Sequence, residues 1–99
     1  MIRAAILAAL IAAPAHAGPL DALCRSMAQL AANGAQDGAT MEPILDGVAE
    51  AMVGAQVSSD DEARIVAASY LSGYSQGLLR ITPEQAANEF MTGCMAEGV

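Results

Sequence analysis

Only two cysteines occur in the 99 residues, Cys24 and Cys94, and about 70 residues of chain separate them. A fold that pairs them must bring its two ends together, and with two cysteines there is one intramolecular connectivity. A bridge closing a loop of that length stabilises the folded state by about 4 kcal/mol through the entropy it removes from the unfolded chain. The alternative, a redox-active pair, normally needs the close spacing of a Cys-x-x-Cys site, and this pair lacks it. A structural disulfide between Cys24 and Cys94 is therefore expected, provided the chain reaches an oxidising compartment.

The first residues supply that compartment. Arg3 and the amino terminus form a short positive end, Ala4 to Ala13 form an apolar run, Pro14 breaks it, and Ala15-His16-Ala17 places small residues where a signal peptidase needs them. A spanning helix needs about 20 apolar residues, more than this run offers. Residues 1–17 are read as a cleaved signal peptide and residues 18–99 as one domain, periplasmic or secreted, with no membrane span in the mature form.

Removing the leader sharpens the composition. The 82 residues from Gly18 to Val99 keep Arg25, Arg64 and Arg80 against all eleven acids, a net charge of −8, and contain no lysine and no histidine. So acidic a surface repels phosphate backbones, which argues against nucleic acid as a partner. The commonest general base and the commonest zinc ligand are both missing. No catalytic residues, cofactor or metal site are expected, and the chain is read as a non-enzyme. The run Asp60-Asp61-Glu62 lacks the alternating ligands and central glycine of an EF-type calcium loop. The aromatics are only Tyr70, Tyr74 and Phe90, and alanine fills much of the apolar quota. So thin a core benefits from a covalent staple.

Apolar spacing predicts four helices and no strand, giving an all-α fold: a compact bundle of about four short helices closed by one disulfide. The first runs from about Leu20 to Ala32, where Asn33-Gly34 reads as a stop and Asp37-Gly38 as a turn. The second runs from about Met41 to Ala55, with Thr40 as N-cap, Pro43 in the first turn and Ile44, Leu45, Val48 and Met52 as its apolar stripe. Asp46 and Glu50 lie one turn apart beside that stripe, as a solvated face. The third begins at the capping box Ser59-Asp60-Asp61-Glu62 and continues to about Leu79. The fourth opens at Thr82-Pro83-Glu84-Gln85, and Ala86, Phe90 and Cys94 share one face. The methionines of the mature segment read mostly as core filler, though such side chains also suit an adaptable binding surface.

The most unusual stretch lies in the third helix. Each glycine inside a helix costs about 1 kcal/mol relative to alanine, so Gly73 and Gly77 ask for a reason. With Ser69 they form a groove of small residues at four-residue spacing, and Tyr70 and Tyr74 form a ledge beside it. Close packing of another helix of the same domain is one reading of these five residues. A docking surface for a partner helix or an exposed apolar peptide is the other.

An exported helical chain with one long-range disulfide, a Tyr-Leu-Ser-Gly-Tyr stretch at 70–74, a Thr-Pro-Glu turn at 82–84 and a late cysteine resembles the HdeA/HdeB-like periplasmic proteins. It is also similar to small helical immunity proteins of the type VI secretion Tai kind. The first resemblance implies an acid-stress chaperone, whose dimer dissociates and loosens at low pH and exposes apolar surface to denatured clients. Only the cysteine pair, Cys24 with Cys94, carries over residue by residue. Two functions are accordingly expected: a chaperone-like binding protein for unfolded clients, or an immunity or inhibitor protein whose acidic surface meets a basic protein partner.

Overall fold

A computed structural model describes residues 19–97; the expected signal peptide, residues 1–17, lies outside them. Four helices make up the described chain: α1 (Pro19–Ala39), α2 (Ile44–Gly54), α3 (Asp60–Leu78) and α4 (Pro83–Glu97). The all-α expectation holds, with no strand among the described residues. None of these helices is long and apolar enough to cross a membrane.

The longest helix, α1, is the spine, with α3 and α4 packed along it. Its alanines let both neighbours approach: Ala28 and Ala32 are fully buried and meet Ala87, Phe90 and Met91 of α4. Cys24 near the start of α1 is bonded to Cys94 near the end of α4, with Cα atoms 5.7 Å apart. Both cysteines are buried, so the staple is part of the core.

The helix starts follow the expected chemistry at two places. Ser59 Oγ accepts from the Glu62 amide at 3.1 Å while donating to the Glu62 carboxylate at 3.3 Å. Thr82 Oγ1 accepts from the Gln85 amide at 3.1 Å, and Gln85 Oε1 in turn accepts from the Thr82 amide at 3.3 Å. The pair at Thr82 is a reciprocal box that satisfies two otherwise orphaned N–H groups, whereas at Ser59 the hydroxyl satisfies the Glu62 amide and the carboxylate holds that hydroxyl in place.

The helix ends differ from expectation. The first helix does not stop at Asn33-Gly34 or turn at Asp37-Gly38; it runs through both glycines to Ala39. Thr40 does not cap the second helix, whose N-cap position is Pro43 with no side-chain cap bond. Its hydroxyl instead donates back to the Asp37 carbonyl at 3.2 Å, closing the end of α1. The termini of α1, α2 and α3 share one geometry, in which Met41, Gln56 and Arg80 take positive φ angles of 56°, 54° and 69°. In each case the next residue donates to the carbonyl five positions back: Glu42 to Asp37, Val57 to Met52, and Ile81 to Gln76. These are Schellman closures with a non-glycine at the left-handed position, a conformation that costs an L-residue about 1 kcal/mol. Gln56→Gly is thus expected to raise stability by about 0.5–1 kcal/mol, measured by urea denaturation, because residue 56 is exposed and only its backbone matters.

Glycines of both helices serve α1 and α3 at their crossing: Gly34, read as a stop, and Gly73 and Gly77, read as interior positions. A methyl on Gly73 would strike the Ala31 carbonyl and lie 2.7 Å from the Ala31 Cα, and one on Gly77 would lie 2.8 Å from the Ala35 carbonyl carbon. Reciprocally, a methyl on Gly34 would lie 2.8 Å from the Tyr74 amide nitrogen and strike the Tyr70 carbonyl. The two backbones touch, and Gly34 stays helical because its missing side chain is where α3 sits.

Candidate binding site around the second helix

Ser69, Tyr70, Gly73, Tyr74 and Gly77 are all buried. The groove of small residues is filled by α1 of the same chain, and the tyrosines emerge from that crossing toward α2. Tyr70 Oη donates to Asp37 Oδ2 at 2.5 Å in the buried interior. Tyr74 Oη donates to the Glu42 carbonyl at 2.6 Å. The rings lie 6.2 Å apart, tilted by 40°. Between them they fasten the end of α1 and the loop at 40–43 that leads into α2. Gly47 then rests on the Tyr70 ring, where a methyl would lie 2.5 Å from Cζ and strike the hydroxyl.

A hydrogen bond to a carboxylate is worth about 1.5–3 kcal/mol when buried. Tyr70→Phe is accordingly expected to cost about 2 kcal/mol. In a domain of this size that is a fall of about 10 °C in the thermal midpoint, readable by circular dichroism.

The tyrosines hold α2 at its base, and the rest of the helix stays outside the core. Gly47 is its only buried residue. Ile44 and Leu45, expected in an inward apolar stripe, are exposed, and Val48 and Met52 are half-buried. Leu45 is 82% exposed, Val53 78% and Met41, in the preceding loop, 75%. The methionines follow suit: Met27 is in the core, Met41 and Met95 are exposed, and Met52 and Met91 are half-buried. Met27 and Met91 thus serve the core, whereas Met41 and Met95 do not. The helix meets the rest of the fold through Gly47 against Tyr70 and through the half-buried Val48, Ala51 and Met52, which leaves Leu45 and Val53 on its outer side.

The outward side of α2 carries two kinds of residue. Leu45, Ala49 and Val53 follow one another at four-residue spacing, and Asp46 and Glu50 run alongside, all five exposed. Ala49, Val53, Asp46 and Glu50 also line a shallow depression that ends at Gly54.

The other flank of α2 faces α1 across a cleft of about 510 Å³. One wall is Ser26, Gln29, Leu30 and Asn33 of α1; the other is Gly47, Glu50, Ala51, Gly54 and Ala55; Tyr70 closes the bottom. Gln29 Nε2 donates to Asn33 Oδ1 at 3.1 Å, while Gln29 Oε1 is buried with no hydrogen-bond partner. Glu50 belongs to both flanks, so its carboxylate stands between the depression and the cleft. Among the described residues, no group of three or more His, Cys, Asp or Glu side chains could hold a metal ion.

Reading the sequence identified Asp46, Glu50 and the tyrosines but missed the cleft. Its signal was present in α1, where Ser26, Gln29 and Asn33 form a polar row in a helix otherwise rich in alanine and leucine. Comparison with known proteins returns no match to any family model, curated protein or solved structure.

Proposed function

We propose that this chain is an exported, non-catalytic helical binding protein, chaperone-like in holding polypeptide segments that carry both apolar and basic residues. One observation carries the reading: Gly47 is the only buried residue of α2, and the outer side of that helix sets Leu45 and Val53 beside Asp46 and Glu50. Exposed apolar residues rimmed by charge mark interaction surfaces, and the sign of the rim selects the partner. A net charge of −8 over residues 18–99 draws in a positively charged partner and repels an acidic one. The buried disulfide and the lack of a membrane-crossing helix among the described residues are compatible with export.

The α3 helix also exposes Leu71 and Leu78, and Leu79 follows just past its end. That patch abuts Arg80 and has no carboxylate interleaved with it, so it does not favour a basic segment.

The test is fluorescence anisotropy with a labelled peptide of alternating leucine and lysine, compared with its glutamate counterpart. Binding of the lysine peptide at about 0.05 M salt, weakened about tenfold at about 0.5 M salt, is expected from screening of exposed charges. Leu45→Ser with Val53→Ser should weaken it about tenfold, while the melting temperature stays within about 2 °C because both side chains lie outside the core. Equal affinity for the two peptides, or none for either, rejects the reading.

A second reading rests on the same interleaving. Removing the negative charge of the surface by acidification would leave Leu45, Ala49 and Val53 as one apolar strip, as an acid-stress chaperone needs. Light scattering from pH 7 to about pH 2 decides it. Growth of assemblies or suppression of client aggregation on acidification supports it, and constant size with no suppression removes it.

A further inference from the structure

We propose that Asn33-Gly34 is a latent modification site: it is shielded in the folded domain, deamidates once the chain unfolds, and the rearranged backbone then bars refolding. This holds whatever the protein binds.

An asparagine followed by glycine is open to attack by the backbone, because glycine has no side chain to obstruct the approach. The crossing of α1 and α3 requires that glycine. A methyl on Gly34 would lie 2.8 Å from the Tyr74 amide nitrogen and strike the Tyr70 carbonyl. A larger residue, which would slow the attack, therefore has no room after Asn33. In the unfolded chain the Gly34 amide nitrogen gives its proton to solvent base and attacks Asn33 Cγ. A C–N bond forms, and the side-chain nitrogen takes a proton from water and leaves as ammonia. Water then opens the resulting succinimide ring at either carbonyl. One opening gives aspartate; the other gives isoaspartate, in which the main chain runs through the former side-chain carbons. Water is the only co-reactant, and nothing is oxidised or reduced.

Folding blocks the first step in three ways. Both residues lie inside α1, where the Gly34 N–H belongs to the helical ladder and helical dihedrals hold its nitrogen away from Cγ. Gln29 Nε2 donates to Asn33 Oδ1 at 3.1 Å, which ties the side chain along the helix. Gly34 is buried against α3, out of reach of solvent base. The same contact makes the product incompatible with the fold. Isoaspartate lengthens the main chain immediately before Gly34, where the two backbones already touch.

The disulfide-intact protein is held at mildly alkaline pH, one sample in buffer and one unfolded in guanidinium chloride. Cleavage after Arg25 and Arg64 releases a segment whose only asparagine is Asn33, and mass spectrometry reads its deamidation and isoaspartate content. Asn88, followed by Glu89, is the slow internal reference. Deamidation at Asn33 is expected to be at least about a hundredfold slower in the folded sample, because it proceeds only through the small open population. After dilution from denaturant, the native fraction isolated by size exclusion should contain at least about tenfold less isoaspartate than the unrecovered chains. Asn33→Asp keeps the ordinary backbone and an oxygen for Gln29, so it should refold. Asn33→Gln should pass through the same incubation with its refolding yield undiminished. Equal rates at Asn33 in folded and unfolded protein, or no isoaspartate in either, overturn the inference. Equal isoaspartate in refolded and unrecovered chains overturns it too, as does failure of Asn33→Asp to refold, which would make charge and not the backbone the cause.

Discussion

Reducing the Cys24–Cys94 bridge is expected to unfold most of the protein at 37 °C. The bonded residues are 70 apart, and releasing a loop of that length returns about 4 kcal/mol of entropy to the unfolded chain. Domains of this size have only about 4–12 kcal/mol in total, from about 0.05–0.15 kcal/mol per residue. The architecture makes the loss hard to absorb. The α4 helix meets α1 mainly through Ala87, Phe90 and Met91 against small alanines, so little apolar area holds it once the bridge is gone. Thermal melts with and without a reductant should differ by more than about 15 °C, converting 4 kcal/mol at the scale of small domains. Replacing both cysteines by alanine should reproduce the shift, which separates the cross-link from any effect of the reagent. A shift below about 5 °C would mean that the helices hold together without their staple.

The second large effect belongs to the crossing of α1 and α3. Gly73→Ala should destabilise the fold by about 3 kcal/mol or more, because overpacking here meets backbone that cannot rotate away. The nearest atoms to the added methyl are the carbonyl and Cα of Ala31, the latter at 2.7 Å. Local preference points the other way, since alanine favours an interior helix position over glycine by about 1 kcal/mol. Gly93, within α4, is the internal control, as a methyl there meets nothing within 4 Å. Gly93→Ala should therefore stabilise by up to about 1 kcal/mol. Opposite signs for one chemical change, read by urea denaturation, would establish that backbone contact and not propensity governs residue 73.

That contrast explains what could be read from the sequence. Capping boxes are local, so the starts at Ser59 and Thr82 were legible, as were the helical class, the number of helices and the disulfide. Glycine is ambiguous. At Gly34 and Gly38 it looked like a stop and a turn, but both lie inside α1, and only the approach of α3 decides the matter. The actual ends carry Met41, Gln56 and Arg80, residues with no stop signal of their own. For α2, periodicity identified the helix but not the direction of its apolar side. Gly47 against Tyr70 fixes that direction, and the contact joins residues far apart in sequence. The cleft was hidden for the same reason, since its walls come from two helices. The tyrosine ledge was legible as a special feature, and its task is to anchor α2 and the loop before it.

The most direct test of the account maps where a segment binds. Isotope-labelled protein titrated with the leucine–lysine peptide should show amide shifts concentrated at Leu45, Ala49, Glu50 and Val53. Ala87 and Met91, on α4, should not move. Shifts centred on Leu71 and Leu78 of α3 or on α4, with α2 unchanged, would contradict the assignment of α2 as the binding surface.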